Sequence, residues 1–193
     1  QLIVDSTFDK NQFTKDFYMV NTQIGAMKYT RNTFCRMSKS WSFYGPIHEF
    51  IIANDKDVTS GLAENILVDV SMDGNSWQGD VSQKYLSHSH KLEAYIAEDR
   101  TDPRWIFYTA QSYHDSASMQ DNPDENKERL RRSIKYYKER TERNDGYAEE
   151  IYYSHYRIGS IMKTLEESWK DTMQPRRQAY ACDPARGDST TII

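Results

Sequence analysis

The sequence predicts an α+β protein, with a strand-bearing front over residues 1–76 and antiparallel helical hairpins over 77–193. Two patterns carry this reading. Short apolar runs rich in β-formers alternate with turn residues in the first part. From about Gly79 the apolar residues recur at helical spacing instead. Composition agrees: only 37% of residues are hydrophobic and 28% are charged, while 14 Tyr and 4 Trp supply amphipathic bulk for a core. That balance suits long solvated helices better than a thick buried sheet, and the aromatic content argues against disorder.

In the front part, Phe17-Tyr18-Met19-Val20, Ile51-Ile52-Ala53 and Ile66-Leu67-Val68-Asp69-Val70 read as strands. Gly25, Gly45-Pro46, Asn54-Asp55 and Asp73-Gly74-Asn75 punctuate them. Together these segments read as the irregular back half of a mixed α/β domain. In the second part, Tyr85, Leu86, Leu92, Tyr95 and Ile96 approximate one helical face, closed by residues 99–103. A second helix starts at Pro103, a residue suited to a first turn, and carries Trp105 through Tyr113. A polar loop is expected over 116–126. A third helix sets Leu130, Ile134 and Tyr137 on one side, with Lys and Arg opposite. Asn144-Asp145-Gly146 ends it. A fourth begins near Tyr147 and carries Ile151, Tyr152, His155, Ile158, Met162 and Leu165; a fifth is expected over about 169–182, before Pro184.

The helices pair as imperfect repeats. Ala110 and Tyr113 correspond to Gly159 and Met162, a small residue followed by a bulky one, and Tyr137 corresponds to Tyr180. The offset is 49 residues from Ala110 to Gly159 and 43 from Tyr137 to Tyr180. Tetratricopeptide units repeat at roughly 34. Two units are marginal for a solenoid, so the array is expected to dock on the front part or to continue past Ile193.

Charge and length exclude several classes. A net charge of −4 gives no general pull towards nucleic acid, and the clusters 129–132 and Arg176-Arg177 lie among acids, as on a solvated helix face. No stretch approaches the roughly 20 apolar residues of a membrane span. The start, Gln1-Leu2-Ile3-Val4-Asp5, has no signal-peptide pattern. Cys35 and Cys182 are expected to be reduced thiols, and the location expected is cytoplasmic. Both ends read as cut from a longer protein.

The chemistry is placed at Trp41-Ser42-Phe43-Tyr44-Gly45-Pro46-Ile47-His48-Glu49-Phe50. A Gly-Pro turn sets a metal-capable imidazole beside a carboxylate, at the end of a strand. Two readings of His48 stand on the residues alone: a ligand, or a ring bonded to a carbonyl and packed on Trp41 or Tyr44. Glu49 is either a metal ligand, an orienter of His48, a general base or a solvated carboxylate. Trp41 and Tyr44 serve as core aromatics or as stacking platforms, and Gly45 as a simple turn or a point of close backbone approach. Arg31 and Arg36 read either as a solvated pair or as phosphate partners. His88 and His90, two apart on a helix, point to different faces. His114 is expected to bond locally, and His155 to sit in a packing stripe. No His-Glu-x-x-His, phosphate loop, nucleophile elbow or Cys-x-x-Cys occurs in the sequence.

The blocks Tyr29-Thr30-Arg31, Phe34-Cys35-Arg36 and Trp41 through Glu49, with Arg104 through Tyr113, resemble a known family. So do Glu149 through Tyr153, Ala179-Tyr180 and Pro184-Ala185-Arg186. The chain is similar to the C-terminal half of the catalytic domain of a family-2 glycosyltransferase with a GT-A fold, followed by tetratricopeptide-like helices. The resemblance implies transfer of a sugar from a nucleotide-sugar donor to a glycan, lipid or protein acceptor. It implies a divalent metal, Mn or Mg, held at His48, with Glu49 catalytic. It further places Arg31, Arg36, Trp41, Tyr44 and Gly45 at the donor. The family's nucleotide-binding front and its Asp-x-Asp motif are not in this sequence; Asp55-Lys56-Asp57 has the spacing but follows the His-Glu pair and reads as a surface turn. A homodimer through the helices is a further expectation. The alternative is a non-catalytic, tetratricopeptide-like interaction scaffold.

Overall fold

The computed structural model describes residues 1–71, 79–99 and 101–165. It is α+β, and the chain divides into two compact units, 1–79 and 80–193. The turn at 73–75, Arg176-Arg177, the fifth helix with Tyr180 and Cys182, and the blocks beyond it lie outside the described residues.

The front unit holds strands β1 (Leu2–Val4), β2 (Phe17–Ile24), β3 (Met27–Cys35), β4 (Trp41–Tyr44), β5 (Phe50–Ala53) and β6 (Ser60–Asp69), with a 3-10 turn at Lys10–Gln12. β1, β6, β2 and β3 form one sheet in that order, and β4 pairs with β5 in a separate hairpin. β2 and β3 join through a two-residue turn, since Ile24 pairs with Met27. β6 runs parallel to β2 and antiparallel to β1. The register jumps from Val20–Ala63 to Asn21–Leu67, so β6 bulges between these pairs. The core is small: Tyr18, Val20, Ala63 and Ile66 are buried, with Phe13, Phe34 and Val68 against them.

No α-helix occurs among the described residues of this unit, so the expected mixed α/β front is, as described, a β-structure. Three strand segments escaped the hydrophobic pattern for one reason. β3 is the sheet's edge, with mostly exposed side chains, and its Lys28, Thr30, Arg31, Asn32 and Thr33 show no apolar alternation. β1 lies at the other edge, and the first half of β6, where Leu62 and Ala63 stand together among polar residues, pairs with β2 alone. Edge strands need bury little, so they carry little signal.

The second unit comprises α1 (Val81–Glu98), α2 (Pro103–Ser118), α3 (Pro123–Thr141) and α4 (Ala148–Thr164), and each packs against the next. Asp80, Asp102 and Asn122 cap the first three, with Pro at the start of α2 and α3. The 116–126 loop shrinks to residues 119–122. The Ser116 hydroxyl donates back to the Tyr113 carbonyl at 2.9 Å, and the Asn122–Pro123 pair starts α3 at once.

The small residue at Ala110 does let α2 and α3 approach closely. Ala110 is fully buried, and Ser133 of α3 donates to its carbonyl at 2.8 Å. Leu130 and Tyr137 are buried as expected, while Ile134 is half-buried. The solvated-face reading of 129–132 fails at Arg129. That residue is buried, donating to Ser82 Oγ at 2.7 Å and to the Ser116 carbonyl at 3.3 Å, with Glu125 at 3.2 Å.

Arg140 is buried more completely, at 0% exposure. Its Nε donates to Glu150 Oε2 at 3.1 Å, and its terminal nitrogens reach the carbonyls of Arg143, Asp145 and Tyr147. Gly146, at φ 79°, turns the chain beside it. A Cβ there would lie 2.9 Å from Pro103 Cγ and 3.1 Å from Arg140 Nη2. Tyr137 makes the contrast: its hydroxyl is buried without a hydrogen-bond partner among the described residues, and burial pushes its pKa far up.

These two buried residues respond oppositely to truncation. Arg140→Ala strands Glu150 and three carbonyls, and is expected to cost about 3–5 kcal/mol. Tyr137→Phe removes only an unpaired hydroxyl and is expected to be neutral or stabilising. Urea unfolding followed by helical circular dichroism checks both; an Arg140→Ala midpoint equal to wild type would contradict the first.

Candidate functional site

The front unit presents one open cleft of about 520 Å³. It lies between the edge strand β3 and the β4–β5 hairpin. Thr22, Val68 and Val70 come from the body of the sheet or its end, and Thr30, Arg31, Asn32, Thr33 and Cys35 from β3. The opposing side is Phe43 of β4 with Glu49, Phe50 and Ile51. Asn32 Nδ2 reaches the Ile51 carbonyl at 3.4 Å, a long bond that ties the hairpin to the edge.

The hairpin is built by short-range pairing. Trp41 faces Ala53 and Tyr44 faces Phe50, and the Tyr44 and Phe50 rings meet edge-on at 5.5 Å. Ser40, Ser42 and Asn54 bond across its open end, and Asp55 Oδ2 accepts from the Ser40 amide at 2.9 Å. Asp55 therefore serves a turn, as the sequence suggests. At the closed end, Gly45 takes φ 104° and His48 takes φ 52°. Such a conformation is uncommon for a residue with a side chain. Ile47 is buried and anchors this loop, while His48 and Glu49 on its far side are exposed. The His-Glu pair thus sits in a hairpin loop immediately before a strand rather than at a strand's end.

Of the seven residues singled out in the sequence, the cleft gathers Arg31 and Glu49. Arg36 lies elsewhere, its Nη2 donating to the carbonyls of Phe13 at 3.3 Å and Lys15 at 3.2 Å, with Asp16 at 3.7 Å. Asp16 is held in turn by the Thr59 amide and hydroxyl, which depress its carboxyl pKa. Trp41 donates to the Arg36 carbonyl at 2.9 Å and packs edge-on against Phe17 at 5.9 Å. Trp41, Tyr44, Gly45 and His48 shape the hairpin without lining the cleft. A divalent ion needs several oxygen or nitrogen donors together. Among the described residues, no three His, Cys, Asp or Glu side chains are gathered to hold one. A metal at His48 would therefore need ligands from beyond these residues.

Phe43 and Phe50, which line the cleft, were not singled out as stacking partners; Phe43 shares a hairpin face with Ile51, and Phe50 shares the other with Tyr44. Phe43 is 74% exposed and Phe50 39%. Strand alternation was the available signal, since Ser42 and Tyr44 point opposite to Trp41 and Phe43. Which side faced a cleft depended on where the hairpin docked. The lining includes two phenylalanines, the polar residues Thr22, Thr30, Asn32 and Thr33, one cation and one carboxylate. That set suits a polar molecule with flat apolar faces.

The helical unit gives its histidines structural surroundings. His114 Nδ1 lies 3.2 Å from Asp115 Oδ1, a local contact as expected, and its Nε2 lies 3.5 Å from Arg157 Nη1. His155 is half-buried in α4, and desolvation lowers its pKa.

Cys35 reports on the cleft. Burial raises its thiol pKa above the ordinary 9.0, so the thiolate is scarce at neutral pH. Alkylation by iodoacetamide is expected to be slow at pH 7 and to accelerate as the pH passes 9, measured by peptide mass mapping at Cys35. A pH-independent rate would contradict this environment.

Compared with known proteins, the chain matches no family model and no curated protein.

Proposed function

We propose that the cleft is the sugar-binding, acceptor-side part of a glycosyltransferase that uses a nucleotide-sugar donor. The observation supporting this reading is that Arg31 and Glu49, from a sheet edge and a hairpin loop, line one cleft together with Phe43 and Phe50. Saccharides present apolar C–H faces to aromatic rings and hydroxyls to amides and charged groups, which this lining supplies. In the proposed reaction an acceptor hydroxyl attacks the anomeric carbon while the bond to the donor's phosphate oxygen breaks. Glu49 takes the hydroxyl proton as general base, and the electron pair leaves with the diphosphate. Arg31 supplies a cation for an anionic group of donor or acceptor. The resemblance to family-2 glycosyltransferases, with a GT-A fold and a divalent metal at His48, belongs to this proposal, as does cytoplasmic action on a glycan, lipid or protein acceptor.

The scaffold reading has one observation of its own: the helices form a separate compact unit with its own core. A tetratricopeptide-like array of this kind would bind a partner or a second copy.

Saturation-transfer NMR with oligosaccharides, with and without uridine diphosphate and manganese, tests the first reading. Signal from sugar ring protons is expected with the wild-type chain and is expected to fall with Phe43→Ala. In the longest gene product, Glu49→Gln is expected to lower transfer by about 10²–10⁴-fold, the usual worth of a general base. Equal transfer by Glu49→Gln would remove Glu49 from the mechanism, and no sugar signal in any form would leave the scaffold reading.

A further inference from the structure

A second pocket lies in the front unit, away from the cleft. It has a volume of about 170 Å³ and sits between the 3-10 turn and the bulge of β6. We propose that it binds the side chain of a lysine presented by a partner polypeptide. Ligand sites for nucleotides or sugar chains are larger, commonly ~300 Å³ or more. This one matches a single long side chain.

The lining gives the chemistry. Phe13, Tyr18 and Ile66 contribute apolar surface, with the Phe13 ring 4.4 Å from Tyr18 and 5.5 Å from Phe8. Tyr18 is held in place by its hydroxyl, which accepts from the amides of Thr14 and Lys15 and donates to the Gln12 carbonyl. Its polar end is thereby committed and its ring is buried against Phe13, which is itself only partly buried. Phe8 and Leu62, also in the lining, are exposed. The charged residues of the lining are Asp9 and Glu64, both acidic. A pocket of mixed lining, with aromatic rings and two carboxylates, complements an aliphatic stem ending in an ammonium group. The stem packs on the rings, while the cation meets the carboxylates and the ring quadrupoles. A neutral apolar side chain would fill the same space but leave both carboxylates without a counter-charge.

The test uses the full 193-residue chain and two small probes, Nα-acetyl-lysine N-methylamide and its norleucine counterpart, which lacks the ammonium. Aromatic NMR resonances of Phe13 and Tyr18 are followed during titration. The lysine probe is expected to shift them saturably and the norleucine probe to bind more weakly. Asp9→Asn with Glu64→Gln is expected to weaken the lysine probe by about two- to tenfold, as loss of exposed ion pairs does. Asn also caps a helical turn, so Asp9→Asn keeps the local bond to Asn11. Glu64→Gln alone, checked for an unchanged free spectrum, serves as a second variant and is expected to show a smaller loss. Equal binding of both probes, undiminished binding by the neutralised variants, or no saturable shift would each overturn the proposal.

Discussion

The helical unit depends on the guanidinium of Arg140. Taking a cation out of water is costly unless its donors find partners, and here four of its five N–H groups go to a carboxylate and three loop carbonyls. The satisfaction is mutual. Residues 143–147 turn sharply between α3 and α4, and the carbonyls of Arg143, Asp145 and Tyr147 find donors without a further element. Glu150 lies also 3.8 Å from Arg104 of α2, so one carboxylate joins three helices. Desolvation nonetheless dominates its own titration and raises its pKa, since the carboxylate gives up water for these partners. Gly146 belongs to the same constraint, because any Cβ there would press on both Pro103 and Arg140.

Arg129 repeats the device between α1, α2 and α3. It fastens Ser82 and the Ser116 carbonyl, and Asn126 takes the Ala117 carbonyl at 2.7 Å. The end of α2 is thus closed by side chains of α3, which leaves room for only a short connection. Polar ties of this kind supplement a core built largely from aromatic rings, among them Trp105, Tyr113, Tyr136 and Tyr137. Tyr136 donates to Glu93 of α1, and Tyr113 accepts from Arg132 of α3, so phenol hydroxyls take part in the packing as hydrogen-bonding groups.

The front unit is organised differently. Its core is a handful of residues, and its candidate site lies where the sheet ends and a separate hairpin stands. A cleft at a sheet edge combines groups from strands far apart in sequence, as Arg31 and Glu49 show. Helix limits were legible because caps, prolines and 3.6-residue spacing are local: Pro103, Asn144-Asp145-Gly146 and Tyr147 all mark real boundaries. Edge strands were poorly legible, since β3 has little apolar alternation to display. In the candidate site, Glu49 and Arg31 were named from residue type, but Phe43 was passed over for Trp41 and Tyr44.

By itself the sequence determined the α+β division, the starts of α1, α2 and α4 and the small-residue contact at Ala110, because each rests on periodicity or capping within a few residues; the start of α3 at Pro123 lay inside the expected loop. The tertiary structure decided which cations are buried and which aromatic residues line a cleft. Arg129 and Arg140 look in sequence like their solvated neighbours Arg131 and Lys138, and only the packing of other helices withdraws them from water. Likewise Arg36 has its reach fixed by the carbonyls of Phe13 and Lys15, which no local pattern places beside it. Burial and convergence are set by contacts between distant segments, and local periodicity carries no information about them.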